Sequence, residues 1–460
     1  MRFPSAVTLA VTAVTVVLGG CSSGTGALAP ATPNFSKSHA LAQRKATASI
    51  THVVLIIQEN RSFDNLFATF PKANGTTHGT MHTGQVIQLT KAPLVSEDIN
   101  HNNATYLTDC DLQPSETCNM DGFDLSYIDG QHQKAGKYPY RYVDPTQIAP
   151  YWTLAQRYVL ADNFFQTQGS GSFIAHQDLI AGGTAINSTE SLIDDPSTST
   201  WGCNAPASTA TSLITIQGQY LYDQGPFPCL TYPTGTLRDL LDAHNVTWKY
   251  YTPPYKGNTI GVLWNAFAAV DAVYNGPEWE TNISMPETNI LTDVASGKLP
   301  MLSWVIPSSQ DSDHPWSSHG VDDGPSWVAQ VVNTIGQSSY WNSTAIIVLW
   351  DDWGGFYDHV PPAFFDHAGG LGFRVPVIIV SPYVKAGSIA HTQYEFGSIL
   401  EFIEGRFNLG SLGTTDKRAT SIGGLFNLNQ QPIPFQMIPS HRSREYFLRQ
   451  PPNYEPVDTQ

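Results

Sequence analysis

His52-Val53-Val54-Leu55-Ile56-Ile57 runs without a break into Gln58-Glu59-Asn60-Arg61-Ser62-Phe63-Asp64. Consecutive β-branched and aliphatic residues leave the first part no polar face, the pattern of a strand buried on both sides of a parallel sheet. The second part is acid, amide, guanidinium and hydroxyl, so the strand ends where its chemistry begins. Apolar runs of the same kind recur at 301–306, 345–349 and 375–380, with helical patterns near them at 237–244, 327–335 and 396–407. Buried strands alternating with helices predict an α/β fold: a central, mostly parallel sheet sandwiched by helices. Long stretches at 72–150, 184–234 and 252–300 read as irregular loop insertions, the kind that form functional walls.

In an open α/β sheet, ligands bind beyond the carboxyl ends of the strands. The run 345–349 leads into Trp350-Asp351-Asp352-Trp353-Gly354-Gly355-Phe356-Tyr357-Asp358-His359, and the run 301–306 is followed by Asp311, Asp313, His314 and His319. Three strand ends therefore carry carboxylates and imidazoles to one edge of one sheet. Adjacent acids such as Asp351 and Asp352 repel unless they protonate or share a cation. With Glu59 and the Asn60 amide they make an oxygen-rich set suited to a divalent ion. Taken singly, each of these acids also reads as a helix cap or a solvated loop residue.

A nucleophile candidate lies in Gln168-Gly169-Ser170-Gly171-Ser172-Phe173-Ile174-Ala175-His176-Gln177-Asp178-Leu179-Ile180-Ala181-Gly182-Gly183. The apolar spacing predicts a short helix that stops at the glycine pair, with Ser172 at its N-terminus, where free N–H groups and the dipole favour an anion. The competing reading of Ser172 is a plain capping serine.

Glu59 to Asp64, Ser172 to Gly182, Asp313-His314-Pro315, Asp351 to Pro362 and Arg374-Val375-Pro376 resemble, in this order, the bacterial phosphoesterase family of acid phosphatases and phospholipases C, in the alkaline-phosphatase-like superfamily. The resemblance runs from about Ile50 to Phe407. It implies an alkaline-phosphatase-like fold and phosphoric ester hydrolysis with one divalent ion, for which Ca, Mg, Mn and Zn stay open. Glu59, Asn60, Asp351 and Asp352 match the family's metal positions, Ser172 matches its nucleophile, and His101 and His314 match histidines that contact the phosphoryl group. His391 lies where the wider superfamily has a late metal-binding histidine, which makes it a candidate for an outer role. His176 and His359 read as structural.

The 460 residues hold 23 Lys plus Arg against 39 Asp plus Glu, a formal net charge of −16. Bulk charge therefore excludes a nucleic-acid partner. Residues 1–20, with Arg2, an uncharged apolar stretch and Leu18-Gly19-Gly20 before Cys21, resemble a lipoprotein signal segment, too short to span a bilayer. This predicts export, and membrane attachment through a lipid on Cys21, as a cell-envelope lipoprotein or a secreted or periplasmic protein. Residues 21–48 read as a flexible tether, 49–426 as the phosphoesterase domain and 427–460 as a Pro-rich tail extended over the surface. In an oxidising compartment the remaining four cysteines predict two disulfides, and sequence proximity favours Cys110 with Cys118 and Cys203 with Cys229. A zinc site competes for them, without a CxxC pair to support it.

Three functions follow as expectations: a phosphatase-like phosphoesterase working through a phosphoserine, a phospholipase C acting on phospholipid headgroups, and a non-catalytic surface binding lipoprotein. The oligomeric state is open.

Overall fold

The computed structural model describes residues 49–254, 264–315 and 320–454, all within one compact unit. The expected signal segment, Cys21, the tether and His319 lie outside the described residues. At the centre is an eight-stranded sheet of β1 (His52–Gln58), β2 (Val159–Ala161), β3 (Trp248–Tyr251), β4 (Ile283–Ser284), β5 (Leu302–Val305), β6 (Thr344–Trp350), β7 (Val377–Val380) and β8 (Ser388–Ala390). Their spatial order is β4-β3-β5-β1-β6-β7-β2-β8. Only β7 is antiparallel to its neighbours. Every residue of β6 and β7, and all of β1 but His52, is buried, as their unbroken apolar runs require.

The helices that matter for the site are α1 (Asn103–Cys110), α2 (Ala149–Arg157), α3 (Ser172–Ala181), α4 (Leu237–Ala243), α5 (Asn289–Ala295), α6 (Asp323–Gly336) and α7 (Phe396–Phe407). α2 and α5 pack on α6, whereas α4 and α7 pack on α3, which gives two helical groups flanking the sheet.

Register decides what the sheet edge presents. β1 and β6 pair in parallel with Gln58 opposite Trp350, so Glu59-Asn60 and Asp351-Asp352 leave the sheet side by side. β7 runs the other way, with Val377 opposite Leu349. The residues that precede it, Arg374 among them, therefore reach the same edge.

The three stretches expected to be irregular hold more structure than their composition shows. α1 lies in the first, an antiparallel sheet of Glu190–Ile193, Ser212–Thr215 and Tyr220–Leu221 in the second, and α5 with β4 in the third. Each element has at most eight residues, too short for a hydrophobic period to register. Disulfides join Cys110 to Cys118, at the end of α1, and Cys203 to Cys229, the pairing that sequence proximity favours. The tail crosses α6, where Asn333 exchanges hydrogen bonds with the Ile438 backbone at 2.8 and 2.9 Å. It then folds into a short helix, Arg444–Arg449, where extended chain was expected; Phe447 is buried there against Trp327.

Candidate active site

The floor of the site is two strand ends held together by their backbones. Asn60 takes a left-handed conformation, φ 61°, which asparagine adopts more readily than most residues. This aims its backbone N–H at Asp351 Oδ1, 3.0 Å away, and the next N–H, of Arg61, at the Asp352 carbonyl, 2.9 Å away. On the β6 side Gly354 has φ +60°, and a Cβ there would meet the Asn60 carbonyl oxygen at 2.3 Å, so only glycine lets the two extensions approach. Its N–H donates to Asp352 Oδ1 over 2.7 Å.

Glu59, Asn60, Asp351 and Asp352 are all fully buried, yet they do not face one point. Glu59 Oε1 and Asp351 Oδ2 lie 3.0 and 3.8 Å from His176 Nε2, and these three side chains form a compact group of potential metal ligands. Asn60 and Asp352 turn instead to Ser172, whose hydroxyl donates to Asp352 Oδ2 over 3.2 Å and lies 3.5 Å from Asn60 Oδ1. Asn60 Nδ2 is 2.7 Å from His101 Nε2.

Ser172 is the first residue of α3, and Gly171 is its cap. That excludes the capping-serine reading, because the hydroxyl is directed at Asp352 rather than at backbone. The N–H groups of Ser172, Phe173 and Ile174 precede the first intrahelical bond, from Ala175 N to Gly171 O. They bring donors and the positive end of the dipole to the serine. One turn later on the same helical face stands His176.

The two predicted histidines are brought in by different means. His101 is fully buried; its Nδ1 lies 2.7 Å from the Ile99 carbonyl, which fixes the proton on Nδ1 and leaves Nε2 as acceptor for the Asn60 amide. His314 is placed by the ends of β1 and β6. Gln58 Oε1 accepts the Asp313 N–H at 2.9 Å, the Arg61 guanidinium donates to the Asp313 carbonyl at 2.9 and 2.7 Å, and Trp350 Nε1 donates to Asp313 Oδ2 at 3.0 Å. Between the histidines sits Asp98, with Oδ1 3.8 Å from His101 Nδ1 and Oδ2 3.6 Å from His314 Nε2. Sequence reading missed Asp98; its one signal was its place three residues before His101.

Two further histidines take contrasting places. His176, read as structural, stands within the acidic group, and burial pushes its imidazole down to about 4 although Asp351 opposes the shift, so it stays neutral with a nitrogen lone pair. His391, the late histidine, has a side chain 66% exposed with Nδ1 2.9 Å from Asp162 Oδ2; it is turned to solvent and Asp162, not to the group around Glu59. His359 pairs with Asp64 at 2.6 Å, beside Arg374.

A family model described as the Phosphoesterase family matches residues 50–410. The chain belongs to the Phosphoesterase family. Among its relatives, the non-hemolytic phospholipase C of Burkholderia pseudomallei is 24% identical over 85% of this chain and 60% of its own length. Phospholipase C B of Mycobacterium tuberculosis is 25% identical over 84% of this chain and 79% of its own length. The chain thus spans about three-fifths of the first relative. A solved protein of the alkaline phosphatase superfamily from Vibrio parahaemolyticus is 10% identical, covering 80% of this chain and 70% of its own, with a TM-score of 0.35.

In this member of the Phosphoesterase family, Glu59, Asp351 and His176 form a buried group that could hold a metal ion. Asp351 Oδ2 and His176 Nδ1 are buried and have no hydrogen-bond partner among the described residues. A buried polar atom left so costs about 1–3 kcal/mol, more when charged. A divalent cation fits the donors present: two carboxylates and a neutral imidazole, with Asn60 and Asp352 next to them. Beside Ser172 a cavity of about 320 Å³ opens on Gly171 and Asn102, the neighbours in sequence of Ser172 and His101.

Proposed function

We propose that this chain is a metal-dependent phosphoesterase that hydrolyses phosphate esters through a phosphoserine formed on Ser172. The observation that carries the reading is the Ser172 hydroxyl at the start of a buried helix, within hydrogen-bond reach of Asp352 and one turn from the Glu59, Asp351 and His176 group.

Glu59, Asp351 and His176 would hold the ion, with Asn60 and Asp352 at its side facing the serine. A bound divalent ion supplies a Lewis acid that favours the serine alkoxide and neutralises phosphoryl charge. Ser172 Oγ attacks phosphorus in line, and Asp352 Oδ2 is placed to take its proton. The first-turn N–H groups of α3 and the His314 side chain meet charge on the phosphoryl oxygens, while His101 Nε2 accepts from the Asn60 amide and orients it beside Ser172. His314, backed by Asp98, gives a proton to the departing alkoxide, and water then cleaves the phosphoserine. The imidazole nitrogen moves the fit away from Ca and Mg, which prefer oxygen alone, toward a borderline ion such as Zn.

Ser172→Ala removes one hydrogen bond, worth about 1 kcal/mol, and no cap, so the variant folds. Its turnover should fall by at least about 10³. A folded Ser172→Ala protein that keeps more than about a tenth of wild-type turnover contradicts the nucleophile.

A second reading is favoured by the cavity beside Ser172. Asp194, Asp195 and Asp223 line it with Trp201, Tyr220 and Tyr222, and among the described residues no lysine, arginine or histidine does. Carboxylates with aromatic rings suit a positively charged alcohol, which favours phospholipase C action on a cationic headgroup over a substrate with a second anionic group. Comparing headgroup release from phosphatidylcholine vesicles with phosphate release from nitrophenyl phosphate separates the two. The same reading includes a lipid on Cys21 as the means of reaching a membrane, on the strength of Leu18-Gly19-Gly20 before that cysteine. A mature protein that begins elsewhere than Cys21, by mass spectrometry, removes that part.

A further inference from the structure

Ser172 and His101 stand on different loops, and both loops are tied to one carboxylate. Asp194 directly follows the strand Glu190–Ile193 and takes a left-handed conformation, φ 54°, which aspartate tolerates better than most residues. Its Oδ1 accepts the Ser170 hydroxyl at 2.8 Å and the Asn103 N–H at 2.6 Å, and its Oδ2 accepts the Tyr220 hydroxyl at 3.0 Å. Ser170 Oγ in turn accepts the Asp194 N–H at 3.0 Å, which closes a ring between these two residues.

The places of the gripped residues matter. Ser170 comes two positions before Ser172, and Asn103 two positions after His101. Asn103 Nδ2 also donates to the Gly169 carbonyl at 2.8 Å, so α1 begins bound to the loop of the nucleophile. Ser170 and Asn103 are both buried, and water does not stand in for the carboxylate. The third donor supplies a fixed base: Tyr220 is in the strand Tyr220–Leu221, joined through Ser212–Thr215 to the strand that Asp194 follows. Three donors on two oxygens direct this carboxylate at the chain.

The Ser172 hydroxyl lies 3.2 Å from Asp352 Oδ2 and 3.5 Å from Asn60 Oδ1, and Asn60 is itself oriented by His101 Nε2 at 2.7 Å. The approach of the nucleophile to Asn60 thus depends on the spacing of the Ser172 and His101 loops. A misplacement of about 1 Å at a reacting centre costs on the order of 10²-fold in rate. We propose that Asp194 is a positioning residue, which fixes the loop before Ser172 against the loop that carries His101 and so keeps the hydroxyl in register with Asp352 and Asn60. The proposal rests on Ser172 as the nucleophile.

The test measures kcat and KM of the purified chain on nitrophenyl phosphate, whose leaving group carries no cation, with the folded fraction read by circular dichroism. Asp194→Ala should lower kcat per folded chain by about 10²-fold and leave KM within about twofold of wild type. Asp194→Asn, whose carbonyl oxygen still accepts from Ser170 and Asn103, should recover kcat to within about tenfold of wild type. A purely structural residue would lower the urea midpoint and leave kcat per folded chain as it was, and that result overturns the proposal. So does an Asp194→Asn variant as slow as Asp194→Ala, or a loss confined to KM on phosphatidylcholine vesicles, which would make Asp194 a headgroup contact. Should Asp194→Ala fail to fold, Ser170→Ala cuts only the tie to the nucleophile loop and should lower kcat by about tenfold at unchanged KM; an unchanged kcat there overturns the proposal as well. Ser172→Ala is the separate arm: turnover kept in that variant removes the nucleophile beneath the proposal, whereas turnover lost there but kept in Asp194→Ala removes the proposal alone.

Discussion

Two buried acidic groups sit at the same edge of the sheet and solve the same problem differently. Asp64 and Asp358 meet the Arg374 guanidinium at 3.4 and 3.1 Å, and backbone N–H groups and His359 fill their remaining oxygens. The cation there is part of the chain. Glu59 and Asp351 have His176 in place of a guanidinium, burial keeps that imidazole neutral, and Asp351 Oδ2 has no donor among the described residues. The second group lacks an internal cation of that kind, and the proposed metal ion would supply one, since buried like charges persist only when compensated.

The largest expected effect breaks the metal group. Asp351→Asn should lower turnover by on the order of 10³ or more while leaving the metal-free protein at least as stable as wild type, because it relieves repulsion. Turnover and urea unfolding in chelator, measured on one preparation, show whether the two effects separate. Next in size, Arg374→Leu strips the internal cation from Asp64 and Asp358 and should cost about 3–5 kcal/mol of stability, seen as a lowered urea midpoint. A loss below about 1 kcal/mol would mean that those carboxyls do not depend on the guanidinium.

The smallest effect is in pH, and the two groups should slope in opposite directions. His176 is held at about 4 against 6.5, so between those values the unfolded chain binds a proton that the native chain refuses, and metal-free stability rises with pH. Burial raises Asp358 from 3.8 to about 6, with Arg374 opposing, so the native chain keeps a proton that the unfolded chain has released, and stability falls as pH rises through that window. His176→Gln should remove the rising component and Asp358→Asn the falling one. Identical pH profiles of stability for both variants and wild type, in chelator, would erase the contrast.

The legible parts were those with a long pattern or a position after one. β1 and β6 could be read because burial on both faces leaves an unbroken apolar run, and Glu59, Asn60, Asp351 and Asp352 because they follow those runs directly. α3 could be read because its apolar spacing ends at Gly182. His176 was read as structural; it stands four residues after Ser172, hence on the same helical face, and the fold brings it to Glu59 and Asp351. Asp98 had no such frame, since it belongs to no strand or helix and meets His101 and His314 only through the fold. The edge strands β4 and β8 were missed because two or three residues carry no period.

Metal content of the purified chain decides whether Glu59, Asp351 and His176 hold an ion. After exhaustive chelation and reloading with Zn or Mn, elemental analysis should find one ion per chain in the wild type and in Asp64→Asn, and none in Asp351→Asn, with turnover returning only where the ion does. Wild-type chains that bind no ion and still hydrolyse phosphate esters, or Asp351→Asn chains that bind it as fully as wild type, would contradict the account.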